Sequence, residues 1–418
     1  MAKHKRDILT GVEIGSSAVK VVMGEFLPDD VLSIVGVGER PALKVIKGDV
    51  SDVNIVQEQL MQALAEAEKA SGLDIGHVFL AVSGGSVRSV NSVGSTVIHS
   101  MDRKVRETDV MTGLRNAKSY ALPPDKRILH HLDRRYVADG DREVLNPVGL
   151  VAGRLEAEIQ IIYGQHNTVE TSCRTLADAM GYPATDIAFS GVADGFALFS
   201  PEEMEQGAMV LDIGAGVTEY VVFFGPGAYH SGQVTVGCEH ISNDLSLGLR
   251  LPLPKCRKLL HELGTFGASA AMTPDGRSRL VEVETLGKGG RRIPVSSVEQ
   301  IIELRLHELF SVILADLRKA DALPRIAAGI VLAGGGAMIP GVIQLAHQVF
   351  NMPVRTGRPR LVSGVQDVSD SPRYVTPVGL LRWGRLSLEI ADSEPAFMEQ
   401  VREDFSKVWG LVTRAFRW

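Results

Sequence analysis

The sequence is poor in cysteine: Cys173, Cys238 and Cys256 are the only three in 418 residues, and they lie far apart. An odd, scattered set excludes a disulfide framework and the paired spacing of a zinc or redox site, and it fits reduced thiols in a cytosolic protein. No apolar run reaches the ~18 to 20 residues that a bilayer-spanning helix needs. Met1 to Asp7 carry Lys3, Lys5 and Arg6, but Glu13 interrupts the apolar run after them, so no export signal is read there. Positive charge is also short, with a net charge of -6, so a nucleic-acid partner gains no general electrostatic help and any basic surface must be local. Neither a Walker-type Gly-Lys-Ser/Thr loop nor a Rossmann glycine fingerprint is found. What is present is the balance of a globular protein, 45% hydrophobic and 22% charged residues, in a chain long enough for about two to four lobes.

Three strand-like runs, Ile8 to Ile14, Val19 to Phe26 and Val31 to Glu39, come in quick succession and predict an antiparallel meander. Ile55, Leu60, Leu64 and Ala67 fall near helical spacing, predicting a helix over Asn54 to Ser71, with a strand at His77 to Ser83. A polar stretch with short strands, Gly84 to Gln165, then interrupts the pattern. Helix resumes at Thr168 to Met180 and strand at Ala184 to Ser190. The arrangement of buried strand, glycine turn and β-branched strand at Ile8 to Met23 recurs at Met209 to Phe224, which is the signature of two copies of one lobe flanking a cleft. The expected fold is α/β: lobe cores at 1–83 with 166–203 and at 204–241 with 324–385, an inserted domain at 84–165 and an inserted subdomain at 242–323. A linker at 386–396 and a terminal helix at 397–418 complete the division. The second insertion is expected to hold two helical stretches around a charged hairpin from Gly276 to Pro294.

Three glycine-bearing segments carry the candidate chemistry. Gly11-Val12-Glu13-Ile14-Gly15-Ser16-Ser17-Ala18-Val19-Lys20 places backbone N–H groups, hydroxyls and a lysine at a strand turn, all suited to phosphate oxygens. Val210 to Glu219 repeats that logic, with Asp212 ahead of Gly214, Ala215, Gly216 and Thr218. An acid beside polyphosphate needs a hydrated Mg²⁺ between them, so Glu13 and Asp212 imply a metal held through water. Val331 to Gly341 is a strand entering a glycine turn that opens a helix, and its bare Gly334, Gly335 and Gly336 can pack against a flat ring such as adenine. Singly, such a turn is more often just a turn; in this order the three reinforce one another. Gly237 joins the candidate binding set.

Together these segments resemble the two phosphate motifs and the adenosine motif of the actin, heat-shock chaperone and sugar-kinase superfamily, and the seven-residue step from Glu13 to Lys20 matches actin. Within it the whole chain resembles the FtsA family, through Gly11 to Gly15, Leu80-Ala81-Val82-Ser83-Gly84-Gly85, Asn146-Pro147-Val148-Gly149-Leu150, Ala327 to Leu332 and Pro377-Val378-Gly379-Leu380-Leu381. The resemblance implies an actin-like fold that binds ATP with Mg²⁺, self-assembles into filaments, and tethers filaments of the tubulin-like FtsZ to the inner membrane at the division septum. Other division proteins are implied partners, and the insert 84–165 is implied in a head-to-tail contact. In actin and the chaperones, the helix between lobes begins with a Gln or Glu that positions the attacking water. Here the matching stretch offers Ser190 and Gly191, with Asp194 about a turn late, so at most slow hydrolysis is expected. Glu303 and Arg305 fall where the superfamily often contacts adenosine, and a solvated helix face accounts for them as well.

The tail carries a separate signal. Phe397, Val401, Phe405, Val408, Trp409, Leu411, Val412, Ala415 and Phe416 fall within an arc of roughly 160° at ~100° per residue, with Lys407, Arg414 and Arg417 on the other side. That is the pattern of an interfacial helix on an anionic membrane, or of a helix docked on its own protein, which Asp404 on the apolar face favours. Lys288, Arg291 and Arg292 form a basic rim at which a short acidic, apolar peptide could dock, which the resemblance implies is the C-terminal peptide of FtsZ, or a merely solvated hairpin. Rival readings are an actin-fold small-molecule kinase or phosphatase, a chaperone lacking its peptide-binding domain, and a pilus-assembly actin homologue.

Overall fold

A computed structural model describes residues 8–264, 279–284 and 290–393, with the side chains of 284 and 390–393 left aside. The terminal helix, residues 397–418, and Lys288 lie outside the described residues.

The β-branched runs at the start form the expected meander. Leu9–Ile14, Ala18–Phe26 and Leu32–Pro41 pair antiparallel. His77–Val82 then joins the other edge of Leu9–Ile14 in parallel, followed by Asp186–Phe189, while Val362–Gly364 closes the far edge beside Leu32–Pro41. The crossover helix Val53–Ser71 begins where the Asp52 side chain accepts the Ile55 N–H at 3.3 Å, and it ends at Gly72 in the left-handed region. Its buried stripe, Val56, Leu60, Ala63, Leu64 and Ala67, covers one face of the sheet.

The second half repeats this plan. Ala208–Ile213, Thr218–Phe224 and Gly227–Val234 form an antiparallel meander, and Ile330–Ala333 and Val354–Thr356 extend it in parallel beyond Ala208–Ile213. The register repeats too: Glu13 stands opposite Lys20 in the first hairpin, and Asp212 opposite Glu219 in the second. Helix Ser190–Leu198 and the last described helix, Val375–Ser393, pack together between the sheets, so one buried core runs through Phe79, Val192, Val221, Val331 and Val378.

Residues 84–165 contain a separate four-stranded antiparallel sheet ordered Arg88–Val97, Arg154–Gln165, Lys126–Ala138, Arg142–Val144, covered by helix Glu107–Lys118 over its own core. Three of these strands, Arg88–Val97, Lys126–Ala138 and Arg154–Gln165, run 10 to 13 residues where short ones were expected, and their polar outer residues hide them in the composition. The second insertion also differs from expectation. Two helices, Cys238–Leu249 and Leu253–Leu263, precede the hairpin of Leu280–Glu284 with Gly290–Pro294, and one, Val295–Lys319, comes after it. The boundary drawn at 241/242 therefore falls inside a helix. The linker drawn at 386–396 is helical through Ser393: Leu386 is buried in the core, Ser387 Oγ donates to Asp186 at 2.9 Å, and Arg385 pairs with Glu389 one turn on.

Candidate functional site

The two hairpin turns face each other across the cleft. Gly15 N–H donates to Ala18 C=O at 3.0 Å and Gly214 N–H to Val217 C=O at 2.9 Å, so both turns close in the same way. A Cβ on Gly216 would meet Ser16 Oγ at 2.7 Å and Lys47 Cα at 2.9 Å, which explains a bare backbone there. The cavity between the turns is about 380 Å³. Its walls include Glu13, Gly15, Ser16, Ser17, Lys20, Asp212, Gly214, Ala215, Gly216, Gly334 and Gly335, drawn from all three glycine segments.

Other expected site residues do different work. Thr218 is fully buried and its hydroxyl donates to Val236 C=O at 2.8 Å. Gly237 lets helix Cys238–Leu249 dock on the second turn, where Cys238 N–H donates to Gly214 C=O at 3.0 Å and Glu239 N–H to Ala215 C=O at 2.9 Å. After strand Ile330–Ala333, Gly334 takes a φ of 75°, and a short 3₁₀ turn, Gly335–Met338, intervenes before helix Val342–Phe350. Gly336 packs on Ile213, 2.3 Å from Ile213 Cγ2 to a would-be Cβ, whereas Gly335 looks into open space. The position open to the cavity is therefore one residue earlier than Gly336. Glu303 is exposed, and Arg305 is gripped by Asp244 at 2.6 and 3.1 Å and by Glu308 at 2.7 Å; neither lines the cavity. Arg291 and Arg292 are exposed on the hairpin, Arg291 donating to Leu249 C=O at 2.7 Å.

Sequence reasoning missed Ser83, Glu219, Cys238, His261, Met338, Arg373 and Thr376, which also line the cavity. For Glu219 a signal existed: it comes after Asp212 by the same step that separates Lys20 from Glu13. The chemistry of the two pairs is opposite. Lys20 Nζ donates to Glu13 Oε2 at 3.0 Å and to Arg373 C=O at 2.7 Å. Asp212 instead faces acids. Burial first, then the Glu13 and Glu219 carboxylates, push it up to about 7. Glu219 is 3% exposed and burial raises it to about 7, against the donors Ser190, Gly84 and Ser83. Asp194, wholly enclosed, is held well above its ordinary range by burial and by Asp212.

Asp212 Oδ1 is enclosed without a hydrogen-bond partner, and a Cβ on Gly334 would meet it at 1.9 Å. An orphaned carboxylate oxygen amid like charges calls for a cation or its waters. Among the described residues no three metal-ligating side chains converge. The donor set thus suits a hydrated Mg²⁺ shared with phosphate, which keeps most of its waters, better than an all-protein cage.

Residues 209–379 match the family model described as cell division protein FtsA, and residues 84–163 the SHS2 domain inserted in FtsA. The FtsA of Neisseria meningitidis is 30% identical over 419 residues, covering 100% of this chain and 99% of its own. The chain belongs to the FtsA family. The FtsA of Pseudomonas aeruginosa is 31% identical over 378 residues, covering 90% of this chain and 89% of its own. Among solved structures, the PilM–PilN type IV pilus biogenesis complex matches with a TM-score of 0.63 at 16% identity, over 90% of this chain and 98% of that one. MreB5 of Spiroplasma citri bound to AMPPNP matches at 0.54 and 13% identity, over 94% and 100%. The fold of this FtsA-family chain is therefore actin-like, in a family of cell-division proteins.

Proposed function

We propose that this FtsA-family chain binds ATP with Mg²⁺ between its lobes, self-assembles, and holds FtsZ filaments to the cytoplasmic face of the inner membrane at the division site. The observation that carries the ATP reading is the pair of facing turns with an orphaned Asp212 Oδ1 between them. Backbone N–H groups of Ser16, Ser17, Ala215 and Gly216, beyond the Gly15 and Gly214 N–H groups that close the turns, would take the phosphates with the Ser16 and Ser17 hydroxyls. Lys20 adds charge, and Glu13 and Asp212 would hold the waters of Mg²⁺. Gly334, Gly335, Met338 and His261 line the side left for the adenosine. The bound metal would neutralise phosphate charge beside the acids. Membrane attachment is assigned to Phe397, Val401, Phe405, Val408, Trp409, Val412 and Phe416 with Lys407, Arg414 and Arg417. FtsZ-peptide docking is assigned to the surface around Arg291 and Arg292, with Lys288.

The test is titration of a fluorescent ATP analogue with Mg²⁺ and with chelator, alongside sedimentation with anionic vesicles. Binding in Mg²⁺ that fails in chelator supports the reading; phosphorylation of a small metabolite under saturating ATP would favour the kinase alternative.

A further inference from the structure

We propose that Glu219 is the catalytic residue that orders and deprotonates the attacking water once ATP fills the cleft, a role that rests on the ATP reading above. Among the described residues four carboxylates, Glu13, Asp194, Asp212 and Glu219, lie at or beneath the cleft near enough to influence one another's charge, and their surroundings separate them. Glu13 is occupied by Lys20. Asp194 is wholly enclosed, does not line the cavity, and accepts the Thr376 hydroxyl at 2.7 Å. Asp212 keeps an orphaned oxygen suited to metal-bound water. Glu219 lines the cavity with both oxygens already fixed: Oε1 accepts the Gly84 N–H at 3.0 Å, and Oε2 accepts the Ser190 hydroxyl.

Each carboxylate oxygen can accept about two hydrogen bonds, so Glu219 retains acceptor capacity for a water while its orientation is already set. Ser190 opens the helix between the lobes, the place where the superfamily resemblance leads one to look for a Gln or Glu. Here the helix supplies only a hydroxyl, and the carboxylate reaches the same place from the opposite hairpin. Cross-strand pairing keeps Glu219 directly beside Asp212, roughly 5 Å between Cα atoms, so the base stands next to the acid assigned to the metal waters.

In the step, the water oxygen bonds to the γ-phosphorus while a water proton passes to a Glu219 carboxylate oxygen. The bond from that phosphorus to the bridging oxygen breaks, and its electron pair leaves with ADP. Inorganic phosphate departs, and nothing is oxidised or reduced.

The experiment uses the full chain with Mg²⁺ and ATP, measuring binding by titration of the fluorescent analogue and turnover by phosphate release. For Glu219→Gln, the cleft should still saturate with the analogue while turnover at saturation falls at least tenfold, general-base catalysis being worth about 10²- to 10⁴-fold. Ser190→Ala should bind normally and turn over several-fold more slowly, with Ser190→Thr restoring the rate through its hydroxyl. Unchanged turnover in Glu219→Gln overturns the proposal, as does a wild type that saturates with ATP yet releases no phosphate above blank. If Glu219→Gln does not fold, unchanged turnover in Ser190→Ala overturns it instead. A wild type that binds no ATP fails at the titration and sinks the cleft reading together with this one.

Discussion

Replacing Asp212 with Asn should make the nucleotide-free protein more stable at pH 8 while abolishing Mg²⁺-dependent ATP binding. Asp212 has an ordinary value of 3.8 and is raised to about 7 in the fold, so between those values the folded state binds a proton that the unfolded chain has released. Stability therefore falls as pH rises through that window, by about 1.4 kcal/mol per unit, and the loss is complete above about pH 7. The ceiling is about 4 kcal/mol, and partial exposure together with coupling to Glu219 brings the expected gain nearer ~2 kcal/mol. An amide of the same shape does not titrate. Thermal melts in chelator should thus put the Asn variant a few degrees above the parent at pH 8 and level with it at pH 4.5. Mg²⁺ and ATP at ~100 times the dissociation constant should stabilise the parent by about 2.7 kcal/mol and leave the variant unmoved. A variant less stable than the parent at pH 8, or offset equally at both pH values, refutes the picture of acids crowded without a cation.

Gly335→Val, which meets open space on the cavity wall, should cost at least tenfold in ATP-analogue affinity with an unchanged melt, whereas Gly336→Val should lower the melting midpoint because its side chain runs into Ile213; equal melts for the two would contradict the assignment. Trp409→Glu should release the chain from anionic vesicles, and added salt should weaken the wild type only in part, since screening removes the contribution of Lys407, Arg414 and Arg417 but not the apolar one; equal pelleting would mean that the tail packs on its own protein. Charge reversal at Arg291 and Arg292 should weaken binding of an acidic FtsZ tail peptide several-fold, read by fluorescence anisotropy; untouched affinity moves the docking surface elsewhere.

The features legible in the amino-acid order are those that repeat locally. Strand, turn and strand carry their own β-branched and glycine signals, so both hairpins and the facing cleft were legible, whereas the seven-residue step from Glu13 to Lys20 was read without the ion pair that the two make across one turn. Residues whose roles depend on distant partners were not legible. Glu219 takes its donor from Gly84, 135 positions away, and Arg305 is drawn off by Asp244, 61 positions away. Gly335 and Gly336 are chemically alike, and only the 3₁₀ turn decides which one meets the cavity. The helix over 386–393 was hidden because the contacts that extend the earlier helix, Ser387 to Asp186 and Arg385 to Asp30, are made with distant parts of the chain.

The asymmetry between two otherwise parallel hairpins links stability to ligand. In the first, the acid at the turn is answered across the strand by Lys20, so that wall of the cleft is locally neutral. In the second, Asp212 is answered by Glu219, with Asp194 beneath, and burial first, then the neighbouring acids, raises Asp212 and Glu219 to about 7 and holds Asp194 well above its ordinary range. Near neutral pH, part of their proton occupancy is lost and the wall repels itself. Under the proposed function, Mg²⁺ brought in with the phosphates replaces those protons. Because Glu219 also accepts from Gly84 of the opposite lobe and from Ser190 on the helix between the sheets, relief of the repulsion and grip across the cleft act on one side chain. Nucleotide binding and closure of the lobes are on this account coupled through charge, and the coupling should weaken as the pH is lowered and protons take the place of the metal.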